Sequence, residues 1–260
     1  MLRPRIIPCL LVRDKGLVKT VGFSAPKYVG DPINAVKIFN EKEVDELMVL
    51  DIDATAKNQE PDYRMIENLA IESRMPLCYG GGIKTAEQVK KIIGLGVEKV
   101  AISSAALQNP GLIAEIADAV GRQSVVVVLD IKKARRGSGH EVWTHNARNN
   151  TGRSPVDVAQ EVEKLGAGEI VLNAIDKDGS MTGYDLEMVR PVRAATNVPI
   201  TVLGGAGSLK DIGQLIQEFG IIGAGAGSLF VFKGVYRAVL INYPKPGERD
   251  QLIRDCLRRD

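Results

Sequence analysis

The chain has 260 residues, enough for one large α/β unit or two small ones. With 45% hydrophobic and 25% charged residues it has the balance of a folded globular protein and gives no case for disorder. Its 34 basic and 32 acidic residues leave a formal charge of +2, so no global field draws it to nucleic acid or to an anionic membrane.

At the N-terminus, Arg3 and Arg5 are followed by only the short apolar run Ile6 to Val12, which is not a signal peptide; a cytoplasmic protein is expected. Eight short aliphatic or β-branched runs follow one another: Ile6 to Val12, Glu46 to Ile52, Met75 to Tyr79, Lys99 to Ile102, Ser124 to Asp130, Glu169 to Ile175, Pro199 to Leu203 and Ile221 to Ala226. Amphipathic stretches lie between most of them, among them Thr85 to Leu95, Pro110 to Val120, Pro155 to Leu165 and Asp185 to Ala195. Asn109-Pro110 and Ser154-Pro155 read as helix caps followed by proline, and Gly96, Gly121 and Gly166 as helix stops. Alternating strands and helices imply a parallel sheet, and eight units predict closure into a (β/α)8 barrel.

The chain also repeats itself. Tyr79-Gly80-Gly81-Gly82-Ile83 is matched by Leu203-Gly204-Gly205-Ala206-Gly207, 124 positions on, and Ser103-Ser104-Ala105 by Gly227-Ser228-Leu229 at the same offset. With no Pro-, Gly- or Ser-rich linker in sight, one barrel domain over residues 1–260 is expected, built from half-barrels of about 1–122 and 123–260. Two long polar segments, Arg13 to Asp31 and Ile131 to Thr151, follow strand ends where barrel enzymes place active-site loops. The second carries Trp143 and His145 and is expected to form a small hairpin.

Everything just after a strand lies on one face of such a barrel. Gly82 and Gly205, with Ser104 and Ser228 after the neighbouring strands, offer backbone N–H groups and helix N-termini that suit phosphate. Glycines also serve plain tight turns, but their repetition with serine partners favours two phosphate cradles and hence a ligand with a phosphate at each end. Asp130 closes the fifth strand, where burial would tune a carboxylate for acid–base work. Asp51 and Asp176, after the second and sixth strands, either touch substrate or brace loops. Lys19, in the first long segment, is placed to close over a phosphate or to lie on the surface. At the opposite strand ends Arg5, Glu46, Lys99 and Glu169 are expected to form a ring of alternating charge around the axis, either a structural plug or a functional one.

Three cysteines, Cys9, Cys78 and Cys256, have no metal-ligand spacing and read as reduced thiols; no metal and no cofactor is expected.

Taken together, Arg5-Ile6-Ile7-Pro8-Cys9-Leu10, Gly80-Gly81-Gly82-Ile83, Ser104-Ala105-Ala106, Asp176-Lys177-Asp178-Gly179 with Gly183-Tyr184-Asp185, and Gly204-Gly205-Ala206-Gly207 resemble the cyclase subunit of imidazole glycerol phosphate synthase over nearly the whole chain. The resemblance implies a barrel that receives ammonia from a glutaminase partner at its N-terminal mouth and delivers it to a bisphosphorylated substrate, which is cleaved and cyclised. It implies Arg5, Glu46, Lys99 and Glu169 as the ammonia gate. It implies Gly82, Ser104, Gly205 and Ser228 as phosphate ligands, with Lys19, Asp51, Asp176 and Gly179 on the substrate face. The family's two catalytic aspartates correspond to Asp130 and to Leu11, where the family pattern Cys-Leu-Asp-Val reads Cys9-Leu10-Leu11-Val12. Ser103, Asn173 and Leu203 also depart from the family.

The chain therefore resembles the divergent paralogues that act with a glutaminase and a sugar amidotransferase in surface-polysaccharide pathways, where a sugar group becomes an acetamidino group. The alternatives are a working cyclase of histidine biosynthesis, using Asp130 with Asp14 or Asp176, and a related aminoimidazole ribotide isomerase, against which Leu11 counts equally.

Overall fold

The structure is a computed structural model that describes residues 3–135, 137 and 139–258; the expected outer limits at residues 1 and 260 lie outside the described residues. In chain order the elements are β1 (Arg5–Arg13), β2 (Gly16–Val21), β3 (Ser24–Gly30), α1 (Pro32–Glu41), β4 (Leu47–Asp51), α2 (Tyr63–Glu72), β5 (Leu77–Gly80), α3 (Ala86–Gly94), β6 (Lys99–Ile102), α4 (Ser104–Gln108) and α5 (Gly111–Val120). There follow β7 (Val125–Lys133), β8 (His140–Thr144), β9 (Asn149–Asn150), α6 (Pro155–Leu165), β10 (Glu169–Ala174), α7 (Leu186–Ala195), β11 (Ile200–Leu203), α8 (Leu209–Phe219), β12 (Gly223–Ala226), α9 (Ser228–Val231), β13 (Phe232–Lys233), β14 (Ala238–Val239) and α10 (Pro246–Leu257).

Eight of these strands, β1, β4, β5, β6, β7, β10, β11 and β12, pair in parallel, and β12 returns to β1 with Arg5 opposite Gly223, closing the barrel. Their alternation divides the apolar residues between two cores. Outward residues such as Ile6, Val49, Leu129 and Leu172 pack under the helices, while Ile7, Cys9, Met48, Cys78, Val128 and Val171 fill the barrel interior with Leu203 and the half-buried Leu11 and Leu50.

Helix α6 starts at Pro155 behind Ser154, whose hydroxyl accepts from Val156 N, and ends on left-handed Gly166, as the sequence suggests. Asn109 is not a cap: the residue before α5 is Pro110, with no side-chain hydrogen bond. The segment Ile131 to Thr151 does contain a hairpin, since β8 runs antiparallel to the extended end of β7. The first long segment is also a hairpin, β2 and β3, pairing onto β1 from Leu11 opposite Val18. The doubled glycine runs occupy equivalent turns after β5 and β11. At Gly81 (φ 121°) a side chain would lie 2.5 Å from Asp51 O, and at Gly205 (φ 105°) 2.2 Å from Gly183 O, so both turns require glycine. Among the described residues no helix is long and apolar enough to cross a membrane.

Candidate functional site

The N-terminal mouth is closed by side chains from the starts of three strands and from the residue before a fourth. Arg5 is hydrogen-bonded to Glu46 and, through Nη2 at 2.7 Å, to Glu169. Lys99 Nζ completes the circuit at 2.9 Å from both Glu46 Oε1 and Glu169 Oε2. The expected four residues thus do meet, and the structure adds a fifth, Thr201, whose hydroxyl donates to Glu169 Oε1 at 2.6 Å. Thr201 lies two residues before Leu203 on the inward face of β11, which was the only sequence signal for it. Burial alone would raise the Glu169 carboxyl, but Arg5, Lys99 and Thr201 outweigh it and hold the group below the usual glutamate range.

At the opposite mouth a cavity opens on the strand C-termini. Leu11, Lys19, Asp51, Gly82, Ser104, Asp130, Gly179, Gly205 and Ser228 all line it. Asp176 does not. Strand alternation ends at Ala174, and the following turn sends Asp176 outward, where its carboxylate accepts from Lys133 N at 2.9 Å. Asp178 turns inward instead and clasps the β2–β3 hairpin, accepting from Thr20 Oγ1 at 2.7 Å and from Phe23 N at 3.0 Å. Asp14 does not line the cavity either; it points outward to Lys57 at 2.8 Å, with its side chain 70% exposed. Neither Asp14 nor Asp176, the acids expected to work with Asp130 in a cyclase, therefore lines the cavity.

Within the cavity Asp51 braces the loop after β4, accepting from Asp53 N and Ala54 N at 3.0 Å each. Lys19 lies in β2, not on the surface. It is buried, donates to Cys9 O at 2.7 Å, and reaches to within 2.6 Å of where a Cβ on Gly227, the residue before Ser228, would stand. Burial holds its ammonium below the usual lysine range. The β8 hairpin contributes His145 and Asn146, which the long polar segment after the fifth strand only hinted at; His145 N donates to Ser104 Oγ at 2.9 Å.

Leu11, with Leu50, packs against the interior cluster that includes Leu203, so the cavity wall is apolar at position 11. Asp130 accepts from Asn173 Nδ2 at 2.8 Å and from Ser103 Oγ at 3.5 Å. Burial pushes its carboxyl up to about 7, although both of those hydrogen bonds favour the charged form. A raised native pKa stabilises the fold below the unfolded value near 4, and that contribution is lost as the pH rises through about 7. Asp130→Asn keeps an oxygen for Asn173, so the variant is expected to exceed the parent in stability at pH 8 by about 2–4 kcal/mol. Denaturant melts check this: the gap should close as the pH falls to about 4, and a gap independent of pH would contradict the assignment.

Among the described residues no cluster of His, Cys, Asp and Glu is placed to hold a metal. What the arrangement offers is a charged ring at one end of an apolar barrel and, at the other, a cavity lined by Asp51, Asp130 and Asp178, a buried lysine and glycine-rich helix starts suited to anions.

Comparison with known proteins follows the same line. The family model described as "Histidine biosynthesis protein" matches residues 5–237. A protein of Leptospira borgpetersenii, provisionally named imidazole glycerol phosphate synthase subunit HisF, is 57% identical over 97% of this chain and 100% of its own length. A Pseudomonas aeruginosa protein provisionally named subunit hisF2 is 53% identical over 96% of this chain and 99% of its own. The Lactococcus lactis imidazole glycerol phosphate synthase subunit HisF is 43% identical over 84% of each chain.

Proposed function

The chain belongs to the histidine biosynthesis protein family, and from that membership we propose that it is a cyclase-like subunit that receives ammonia from a glutaminase partner and conducts it through the barrel, with its own cyclisation chemistry lost. The relatives are named as subunits, which fits a chain that works in an assembly. The acceptor in this reading is a sugar amidotransferase of surface-polysaccharide synthesis, which forms an acetamidino group.

One observation carries the reading: a complete charged ring stands at one mouth while Leu11 occupies the cavity at the other. Moving a proton to and from a reacting group needs a titratable side chain, and leucine has none. Losing one general acid or base typically costs 10² to 10⁴ in rate. Nothing comparable has happened to the ring, whose two carboxylates would be costly to keep buried without their cations. Ammonia is uncharged, and in this reading it crosses the apolar interior above the ring, which would exclude ammonium.

In the cavity the chain's remaining groups would bind rather than react. Gly82 with Ser104, and Gly205 with Ser228 and Lys19, would hold the phosphates of a bisphosphorylated ligand. Asp130, whose carboxyl burial raises to about 7, would donate a hydrogen bond to it in its protonated form.

A second reading, a slow cyclase, draws on the presence of Asp51 and Asp178 in the same cavity as Asp130. The two readings separate in a reconstituted amidation with glutamine. Omitting this chain is expected to abolish amidation, and Leu11→Asp to leave it largely intact. Amidation that proceeds normally without the chain would remove the conduit reading.

A further inference from the structure

Among the described residues, the barrel wall bonds to only one of the ring's two carboxylates. Glu169 takes Arg5 Nη2 at 2.7 Å, Arg5 Nη1 at 3.3 Å, Lys99 Nζ at 2.9 Å and the Thr201 hydroxyl at 2.6 Å. Glu46, equally buried, meets only Arg5 and Lys99 among the described residues. Those two cations are long, flexible and about one-fifth exposed, at 23% and 20%. Thr201 is the opposite: 1% exposed, β-branched, and fixed in a central strand.

Its place is cleared by the neighbouring strand. A Cβ on Gly223 would stand 1.9 Å from Thr201 Oγ1, so the hydroxyl can point at Glu169 only because residue 223 has no side chain.

We infer that Thr201 is a positioning residue of the gate: it makes Glu169 the fixed post of the ring, so that the ring opens by Glu46 and the cations moving away from Glu169. This rests on the conduit reading above. Opening requires a cation to part from a carboxylate. If both carboxylates travelled freely with Arg5 and Lys99, the ring would shift as a unit and stay shut. A carboxylate bonded to the wall cannot follow, so displacement of Lys99 or Arg5 breaks the contact to Glu169 first. Thr201 thereby converts a symmetric cluster into one with a defined seam.

The test uses the full chain with its glutaminase and the amidating enzyme, fed amide-¹⁵N glutamine in competition with unlabelled ammonium. Thr201→Val removes the donor and keeps the shape. It is expected to lower the ratio of labelled to unlabelled product about tenfold, the loss of a hydrogen bond to a charged acceptor. Product formation from ammonium alone and glutamine hydrolysis should be unchanged. Thr201→Ser should restore the parent value, and Gly223→Ala, which crowds the hydroxyl without deleting it, should reproduce the loss. An unchanged ratio in Thr201→Val, an equal fall in ammonium-driven product, or failure of serine to rescue would each overturn the assignment. A parent complex that already labels its product no better than free mixing would instead sink the conduit reading, and Thr201's role with it.

Discussion

Leu11→Asp is expected to confer measurable cyclisation on the purified chain, raising turnover of the bisphosphorylated aminoimidazole-carboxamide ribonucleotide with free ammonium by about 10² or more over the parent. Position 11 lines the cavity from β1, half-buried among Leu50 and Leu203. A carboxylate placed there would be partly desolvated and its pKa raised, the condition for a general acid near neutral pH. It would share the cavity with Asp130, which burial already holds at about 7. Gly82, Ser104, Gly205 and Ser228, the proposed phosphate ligands, line the same cavity as both. Steady-state assays of Leu11→Asp and Leu11→Asp/Asp130→Asn check the claim, since the second change should abolish the gain. A parent enzyme as fast as Leu11→Asp would show that Leu11 is not what limits the chain.

The second large effect concerns the ring. Lys99→Met is expected to destabilise the fold by about 3 kcal/mol, because it leaves two buried carboxylates to share Arg5 alone. This is the low end of the range for broken buried pairs, because the cations keep some contact with water. For a chain of this length that corresponds to a fall in Tm of about 6 °C. The sign of its pH dependence follows from the charge left over. The unpaired carboxylate binds a proton more readily in the folded variant than unfolded, so the penalty is greatest at neutral pH and above and fades as the pH falls from about 6 towards the unfolded value near about 4.3. Parent Glu169 behaves in the opposite sense. Its carboxyl is held below the ordinary value, so its stabilisation is present at neutral pH and disappears only in acid. Melting curves of parent and variant between neutral pH and pH 4.5 would show convergence; parallel curves would mean that the ring is not electrostatically coupled.

The barrel strands were legible because each is a short run buried on both sides, as in Val125–Lys133 with its four consecutive valines. The ring was legible for the same reason: a charge at the start of a buried strand has nowhere to go but the axis. The β2–β3 hairpin was not. Strand β3 is mostly exposed and carries no alternating apolar face, its register with β2 is irregular, and Phe23 and Ala25 adopt positive φ without being glycine.

Asp176 and Asp178 show a finer limit. Sequence places both just after β10, but which one faces the cavity depends on the turn over Ile175–Lys177, where the two-residue period of the strand no longer applies. Thr201 was missed because a lone threonine in a strand is ordinary. Only the closed barrel, with Gly223 beside it, sets its hydroxyl against Glu169.

The central claim is that this chain carries ammonia and leaves its use to another enzyme. It is tested most directly by following amide-¹⁵N from glutamine into the amidated sugar, with unlabelled ammonium present, in the reconstituted complex and in the same mixture lacking this chain. Strong enrichment of the product only when the chain is present is the expected result. Equal enrichment with and without it, or label recovered in imidazole glycerol phosphate made by the parent chain instead, would contradict the account.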